Sequence, residues 1–256
     1  MLSECRAITR SIEKSISNLK NKGDVLYVGA DGLPTTRLDK IAEDAALKSI
    51  RKLKLPCQVL SEEAGLVKIS KNPEYTLVLD PIDGTYNAVL GIPYYAVSIA
   101  KYENDEVTFG YVKNLCNGDE FWADKKSYCN GKRIRINETE KLSDAVVCVG
   151  SRPITPQQYA EYKKLFLGCK RLRIMGAIAL DLCYLAKGTF DVVADFHIGM
   201  KTVDYAAAML IIEKSGGFIR TPENEKPKIE FNLKNRSNLV AATNEKLFRG
   251  VIKTLA

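Results

Sequence analysis

Apolar residues recur at helical spacing in two stretches near the start of the chain. In residues 2–20 they fall at Ile8, Ile12, Ile16 and Leu19, and Asn21-Lys22-Gly23 closes the pattern. Residues 36–53 show the same period and end before Pro56. Because side chains three or four residues apart share one face of a helix, both stretches predict amphipathic helices.

Short β-rich runs follow these helices. Cys57–Leu60 and the apolar run Tyr75–Leu79 predict buried strands. Residues 95–102, 106–112 and 119–123 predict further strands, separated by turn signals at Asn104-Asp105 and Asn117-Gly118. Residues 1–140 are therefore predicted to form an N-terminal α+β half, with two helices on a largely antiparallel sheet.

The pattern changes near Asn137–Ser143, after which strands and helices alternate. Predicted strands cover 145–149, 171–174, 190–194, 217–220 and 238–242, and predicted helices cover 156–167, 177–187, 203–215 and 244–254. Such alternation is typical of α/β architecture. Residues 141–256 are therefore predicted to form a C-terminal α/β half.

Composition narrows the possible chemistry because the 256 residues include one histidine, His197. A metal site with several histidines is excluded within one chain, whereas Asp and Glu together number 31. The seven cysteines contain no Cys-x-x-Cys pair, which indicates reduced thiols in a cytoplasm. There is no apolar run of about 18 residues for a membrane helix, and the N-terminus lacks the apolar core of a signal peptide. We therefore expect a cytoplasmic protein whose chemistry rests on carboxylates.

The net charge of +7 can attract nucleic acid or anionic metabolites. Lysines and arginines are spread along the chain, without a run of five or six and without interleaved aromatic residues. This distribution does not favour nucleic-acid binding.

The segment Asp80-Pro81-Ile82-Asp83-Gly84-Thr85 places two acids at the end of a predicted buried strand. Like charges held together repel unless a cation lies between them, and oxygen ligands without histidine favour Mg²⁺. Gly84 permits a tight turn, and the amides of Gly84 and Thr85 can face an anion there. The alternative is that Asp80 and Asp83 only stabilise a turn.

Two other acids occupy comparable places. Glu62-Glu63 follows the strand at Cys57–Leu60, and Asp204 stands at the start of an apolar helix. Taken singly, Glu63 is best interpreted as a solvated surface acid and Asp204 as a partner of the helix dipole.

Taken together and in order, these segments resemble the inositol monophosphatase family. The matching segments are Ser61-Glu62-Glu63, Asp80-Pro81-Ile82-Asp83-Gly84-Thr85-Tyr86-Asn87 and Val203-Asp204-Tyr205-Ala206-Ala207. Thr36–Asp39 with Glu43, Gly176–Leu182 and Gly216-Gly217 fit as well, so the resemblance spans nearly the whole chain. It is closest to the archaeal-type members, which also act on fructose 1,6-bisphosphate. Val203, where the family has Trp or Thr, and Ala208, often Gly, are departures at packing positions.

The resemblance implies a layered α-β-α-β-α sugar-phosphatase fold with the site between two halves, and commonly a homodimer. It implies a Mg²⁺-dependent phosphomonoesterase acting on inositol 1-phosphate, fructose 1,6-bisphosphate or a related sugar phosphate. No nucleic-acid or membrane partner is implied.

The resemblance also assigns roles to residues of this sequence. Glu62, Asp80 and the carbonyl of Ile82 would hold a first Mg²⁺, and Asp80, Asp83 and Asp204 a second. A third, looser ion would lie between Glu62 and water. Thr85 would pair with Asp39 to orient and deprotonate the attacking water.

Substrate contacts are expected from two groups of residues. The phosphate would meet Asp83, Gly84 and Thr85, with Gly176 and Ala177 nearby. His197 stands where the family places Arg or Glu, and it would help to choose the sugar or polyol; the alternative is a hydrogen-bonded surface histidine. Three basic residues are either contacts for a second phosphate or merely solvated: Arg171, Arg173 and Lys201.

Two other functions stay open from the sequence. One is a nucleotide phosphatase acting on 3′-phosphoadenosine compounds. The other, motivated by the charge of +7, is a non-catalytic metabolite- or RNA-binding paralogue. The presence of the acids and of Thr85 argues against a protein that has lost catalysis.

Overall fold

The computed structural model describes residues 1–150 and 155–255, except for the side chains of Phe196 and His197. Within this part of the chain there are seven α-helices and a short 3₁₀ helix at Leu142–Asp144. The helices are α1 (Leu2–Ile16), α2 (Arg37–Lys52), α3 (Thr85–Leu90), α4 (Pro156–Gly168), α5 (Ile178–Ala186), α6 (Thr202–Ser215) and α7 (Glu245–Leu255). No helix among these residues is long and apolar enough to cross a membrane.

The strands form a hairpin and two sheets. In chain order they are β1 (Val25–Val28), β2 (Pro34–Thr36), β3 (Cys57–Ser61), β4 (Gly65–Lys68), β5 (Tyr75–Asp83), β6 (Ala96–Glu103), β7 (Glu106–Asn114), β8 (Glu120–Ala123), β9 (Ser127–Cys129), β10 (Lys132–Arg133), β11 (Val146–Val149), β12 (Arg171–Arg173), β13 (Val192–Met200), β14 (Phe218–Arg220) and β15 (Ser237–Ala242). Strands β1 and β2 pair as the hairpin. The eight-stranded sheet has the order β10-β9-β8-β7-β6-β5-β3-β4, and the five-stranded sheet has the order β12-β11-β13-β15-β14.

One face of the eight-stranded sheet is covered by α1 and α2. Helix α2 begins at a capping box in which Thr36 and Asp39 bond each other's backbone amides. Because strand side chains alternate between faces, Leu77 and Leu79 pack with these helices whereas Val78 points to the other side.

Helices α5 and α6 lie between the two sheets, and the main hydrophobic cluster joins them. It contains Val78 from the large sheet and Cys148 from the small one. Helix α6 is buried on all sides, as expected for an apolar helix in a core. A Cβ at Gly110 on β7 would lie 2.4 Å from the carbonyl oxygen of Ala207, so this glycine allows the helix its close approach to the sheet.

Helices α4 and α7 cover the outer face of the five-stranded sheet. Val147 and Val149 on β11 pack against them, and Cys148 between the two points inward, as strand alternation requires. The layers are therefore α-β-α-β-α, and the expected fold is confirmed. The division of the chain near residue 140 stays a prediction.

Several local predictions need correction. The hairpin β1–β2, strands β4 and β9, and helix α3 were not predicted. Strand β5 does not stop at Asp80 but continues to Asp83 past Pro81, because the register with β6 shifts between Asp80 and Asp83 and a bulge accommodates the proline. Helix α1 ends at Ile16 and not near residue 20.

Candidate active site

The first pair of acids is set by two parallel strands. Strands β3 and β5 run in the same direction, with Ser61 opposite Leu79. Glu62 and Asp80 follow these positions directly, and the amide of Glu62 lies 3.3 Å from the carbonyl of Leu79. The two carboxylates therefore leave the same edge of the large sheet, at the carboxyl ends of its parallel strands.

Two further acids lie beside Asp80, one from the same strand and one from α6. The bulge in β5 brings Asp83 back beside Asp80, and the first turn of α6 supplies Asp204. The backbone amide of Lys201 donates to Asp204 Oδ2 at 2.7 Å, which fixes this carboxylate. Asp80, Asp83 and Asp204 are all buried, and one oxygen of each lies within 4.8 Å of the others.

Burial and mutual repulsion make this trio costly without a cation. Burial raises the pKa of Asp80 well above its ordinary value, and the charges of Asp83 and Asp204 raise it further. Burial and Asp204 act in the same way on the pKa of Asp83. Oxygen ligands crowded in this way fit a hard divalent cation, which removes the repulsion.

A hydroxyl–carboxylate pair stands beside the trio. Thr85 Oγ1 lies 2.6 Å from Asp39 Oδ1 and 3.0 Å from the carbonyl oxygen of Ile82. The other carboxylate oxygen of Asp39 accepts hydrogen bonds from the amide and hydroxyl of Thr36. The cap of α2 thus orients the carboxylate toward Thr85.

The turn at Gly84 packs against the segment that precedes α5. Gly84 has φ +89°, and a Cβ there would lie 3.0 Å from Ala177 Cβ and 3.1 Å from the carbonyl of Tyr94. Asn87 donates its amide hydrogens to the carbonyls of Tyr94 and Met175, both at 2.8 Å. The start of α3 is therefore held against the segment that leads into α5.

Lys201 lines the cleft, where its ammonium group is already paired with two carboxylates, and a substrate role for it stays a prediction. Its buried Nζ lies in close contact with Glu62 Oε1 and 3.2 Å from Asp31 Oδ2. Asp31 belongs to the loop between β1 and β2 and was not predicted as a site residue. The pattern Asp31-Gly32, an acid before a glycine turn, was the available signal, since Asp31 Oδ1 accepts the amide of Leu33 at 2.8 Å.

These groups line one cleft of about 550 Å³. Its walls include Asp39, the acids Glu62, Asp80, Asp83 and Asp204, the turn Gly84-Thr85, and Gly176 from the opposite side. This size and polarity suit a small, charged ligand.

A family model for the inositol monophosphatase family matches residues 4–256. The chain belongs to the inositol monophosphatase family. This confirms the resemblance read from the acid-rich segments and places the chain in a family of phosphatases, metal-dependent hydrolases of phosphoric monoesters.

Individual members of the family are similar to this protein in sequence or structure over most of its length. A fructose-1,6-bisphosphatase/inositol-1-monophosphatase from Archaeoglobus fulgidus is 37% identical over 94% of this chain and 92% of its own. A bifunctional NADP phosphatase/NAD kinase from Methanococcus maripaludis is 30% identical over 98% of this chain, which spans 48% of that protein. A crystal structure described as an inositol monophosphatase–fructose 1,6-bisphosphatase superposes with a TM-score of 0.87 at 29% identity, covering 98% of both chains.

Glu63, interpreted from the sequence as a solvated surface acid, is only partly exposed in this family member. Its carboxylate accepts the hydroxyl of Thr35, and its carbonyl accepts the amide of Ala30 at 3.0 Å. Burial raises the pKa of Glu63 to about 7, and the neighbouring charges of Asp39 and Asp31 add to this. Glu63 therefore lies beneath the β1–β2 loop, at the wall of the cleft.

The remaining expected substrate contacts differ in their placement. Gly176 lines the cleft, and Ala177 is buried behind it against Gly84. Arg171 and Arg173 are exposed on the edge strand β12 and are not among the residues that line this cleft, so a substrate role for Arg171 stays a prediction. His197 lies outside the residues whose side chains the structure describes. Asp195, which also lines the cleft, was not predicted.

Proposed function

We propose that this member of the family is a Mg²⁺-dependent phosphomonoesterase that hydrolyses inositol 1-phosphate, fructose 1,6-bisphosphate or a related sugar phosphate. The observation that carries the proposal is the buried trio Asp80, Asp83 and Asp204, with the pair Thr85–Asp39 in the same cleft. Family membership and the name of the Archaeoglobus relative support the substrate class.

The residues divide into two sets of ligands. Glu62, Asp80 and the carbonyl of Ile82 would hold one ion, and Asp80, Asp83 and Asp204 a second. When bound, the ions lower the pKa of a coordinated water and stabilise charge on the departing oxygen. This chemistry needs no histidine, which agrees with a chain that contains only a single histidine.

Thr85 and Asp39 handle the proton of the attacking water in this proposal. Thr85 Oγ1 accepts a proton from the water as its own hydroxyl proton passes to Asp39 Oδ1, 2.6 Å away. The bonds from Thr36 to the other Asp39 oxygen keep Oδ1 aimed at the threonine. The amides of Gly84 and Thr85 would bind the phosphate oxygens, and Gly176 and Ala177 would form the facing wall.

A nucleotide phosphate is the second candidate substrate. The match to a bifunctional NADP phosphatase/NAD kinase over 98% of this chain favours a phosphate on an adenosine ribose. This is close to the 3′-phosphoadenosine alternative from the sequence. We further propose that the protein is cytoplasmic, which the free state of the described cysteines supports. We also propose that it forms a homodimer, as the resemblance to the family implies.

Phosphate release from a panel of esters tests the proposal and separates its substrates. The panel contains inositol 1-phosphate, fructose 1,6-bisphosphate, NADP and 3′-phosphoadenosine 5′-phosphate, each with Mg²⁺ and with EDTA. We expect release that requires Mg²⁺ and is fastest with a sugar phosphate. Fastest release from a nucleotide would establish the second candidate, and no Mg²⁺-dependent release from any ester would refute the proposal. RNA binding that survives EDTA and weakens steeply with salt would favour the non-catalytic paralogue.

A further inference from the structure

A buried lysine crosses the cleft beside the proposed metal ligands. Lys201 lies at the N-cap of α6, and its side chain is 6% exposed. Its Nζ contacts Glu62 Oε1, lies 3.2 Å from Asp31 Oδ2 and is 4.0 Å from Asp204 Oδ1. One ammonium group thus joins the end of β3, the β1–β2 loop and the start of α6.

Asp31 and Glu62 are two carboxylates that need a cation. The side chain of Asp31 is 2% exposed and that of Glu62 is 13% exposed. Bringing two such groups together out of water is costly unless a positive charge lies between them. Lys201 supplies that charge, and Arg236 adds a more distant one, 3.9 Å from Asp31 Oδ2.

The same contact fastens the β1–β2 loop over the acids. The loop also touches the segment after β3 where the amide of Ala30 meets the carbonyl of Glu63 at 3.0 Å and where Thr35 bonds the Glu63 carboxylate. On the outer side, strand β1 is exposed along its whole length. The loop therefore depends on contacts at its inner side, and Lys201 provides the shorter of its two charged contacts, since Arg236 lies farther from Asp31.

We propose that the ammonium of Lys201 is a built-in cation of this site, which takes the place of a third divalent ion between Asp31 and Glu62 and holds the β1–β2 loop closed. The inference rests on the proposed function, and it replaces the expected third, looser ion at Glu62 with a side chain. Lys201 contacts Glu62 Oε1, which leaves Oε2 for the first ion. Lys201 is thus a positioning residue, and the site holds two divalent ions.

Counting bound Mn²⁺ by electron paramagnetic resonance tests this without any substrate. We expect the wild type to bind two ions. Lys201→Arg keeps the positive charge and should also bind two. Lys201→Met removes the positive charge between Asp31 and Glu62 and should bind three. Lys187→Met is the matched control, since Lys187 pairs with Asp119 away from the cleft, and it should bind two. The double variant Asp31→Asn/Lys201→Met removes one carboxylate together with the lysine and should again bind two ions. Because its charges balance, it also keeps the test valid if Lys201→Met alone fails to fold.

Two results overturn the inference. One is equal stoichiometry in Lys201→Met and the wild type, and the other is three ions in the wild type; both leave the proposed phosphatase standing. A wild type that binds no Mn²⁺ overturns the inference and the proposed function together.

Hydrogen exchange of residues 29–36 gives a second readout that a general loss of stability would not reproduce. In EDTA, Lys201→Met should exchange this segment about tenfold faster than the wild type, because the loop loses its charged contact. Saturating Mn²⁺ should restore protection, since an ion then replaces the ammonium. Peptides from α1 should exchange as in the wild type. Unchanged exchange of 29–36 in EDTA would overturn the fastening role.

Discussion

At the scale of single residues, Asp181 is a buried acid that lies outside the proposed metal ligands. Asp181 in α5 is fully buried, one of its oxygens accepts the hydroxyl of Tyr94 at 2.7 Å, and the thiol of Cys148 lies against the same carboxyl group. Burial raises the pKa of Asp181 to about 7. Asp181 is not one of the three clustered acids Asp80, Asp83 and Asp204, so its protonation affects the stability of the folded state.

Replacing Asp181 with Asn should flatten part of the pH dependence of stability. The folded-state pKa of Asp181 is above the unfolded value, so the folded state holds this proton longer, and stability falls as pH rises from about 4 to about 7. Between pH 5 and pH 8 the wild type should lose about 3 kcal/mol of stability through this group, and Asp181→Asn should not. The measurement is the free energy of unfolding in urea at pH 5 and pH 8, with EDTA present.

The difference between the two proteins is the informative quantity in that experiment. Asp80 and Asp83 also have raised pKa values and contribute a slope of the same sign in both proteins. Equal slopes for wild type and Asp181→Asn would contradict an Asp181 that is protonated in the fold.

The sequence motifs predicted acids that the structure brings together, but they did not predict the residues that surround these acids. Asp80, Asp83 and Asp204 stand in short motifs, and the structure brings them within reach of one ion. Asp31 stands alone in the sequence, and its place beside Glu62 depends on a hairpin of exposed apolar residues that has no helical or alternating burial pattern. The Asp31-Gly32 pattern predicts only a turn, because the charge that pairs with Asp31 comes from Lys201, which is distant in the sequence.

At the scale of elements, the turn from β5 into α3 is the most constrained part of the site. Gly84 adopts φ +89° in a space already filled by Ala177 and the carbonyl of Tyr94. The sequence motif predicted a tight turn but not the short helix that follows, since six residues are too few to show helical periodicity.

Gly84→Ala should therefore destabilise the fold by more than the strain of an alanine at a left-handed backbone angle. Gly131 is the control, because its φ is +75° and a Cβ there meets nothing within 4 Å. Gly131→Ala should cost about 1 kcal/mol from backbone strain, and Gly84→Ala about 2 kcal/mol more because the methyl group must displace neighbours. Urea unfolding measures both costs. Equal losses for the two variants would show that Gly84 is required only for its backbone angle.

Longer elements followed the sequence pattern closely because their burial is regular. Helix α2 and strands β6 and β7 appear where periodicity and turn signals predicted them. The length of strand β5 was underestimated because Pro81 was expected to end its hydrogen bonding with the neighbouring strand. A bulge instead lets the strand continue past the proline. Bulges of this kind depend on the neighbouring strand, which the local sequence does not show.

At the scale of the whole molecule, one cluster of apolar side chains joins both sheets through α5 and α6. It includes Ala96 and Val112 from the large sheet and Val193 and Leu239 from the small one. The cleft uses the same junction, because Asp204 begins α6 and Asp83 Oδ2 accepts the amide of Ala179 in α5 at 2.7 Å. The site is therefore assembled only when both sheets are packed on these helices.

The shared core predicts one cooperative unfolding transition. Trp122, the only tryptophan, stacks on Tyr128 in the large sheet and reports on that side. Far-UV circular dichroism is dominated by helices, four of which lie in residues 156–255. The two signals should give the same urea midpoint. Separate midpoints would mean that the two sheets unfold independently and would favour a division near residue 140 into autonomous units.

The central claim is that the buried carboxylates act as ligands in phosphate ester hydrolysis, and Asp83→Asn tests it most directly. Asparagine keeps an oxygen for the amide of Ala179, so the fold should be retained while one charged metal ligand is lost. The control is Asp124→Asn, which changes an exposed turn residue. The measurement is kcat/KM for Mg²⁺-dependent phosphate release from the best ester of the panel.

We predict that Asp83→Asn lowers kcat/KM about a thousandfold while Asp124→Asn stays within twofold of the wild type. Mg²⁺-dependent release by Asp83→Asn at the wild-type rate would contradict the account.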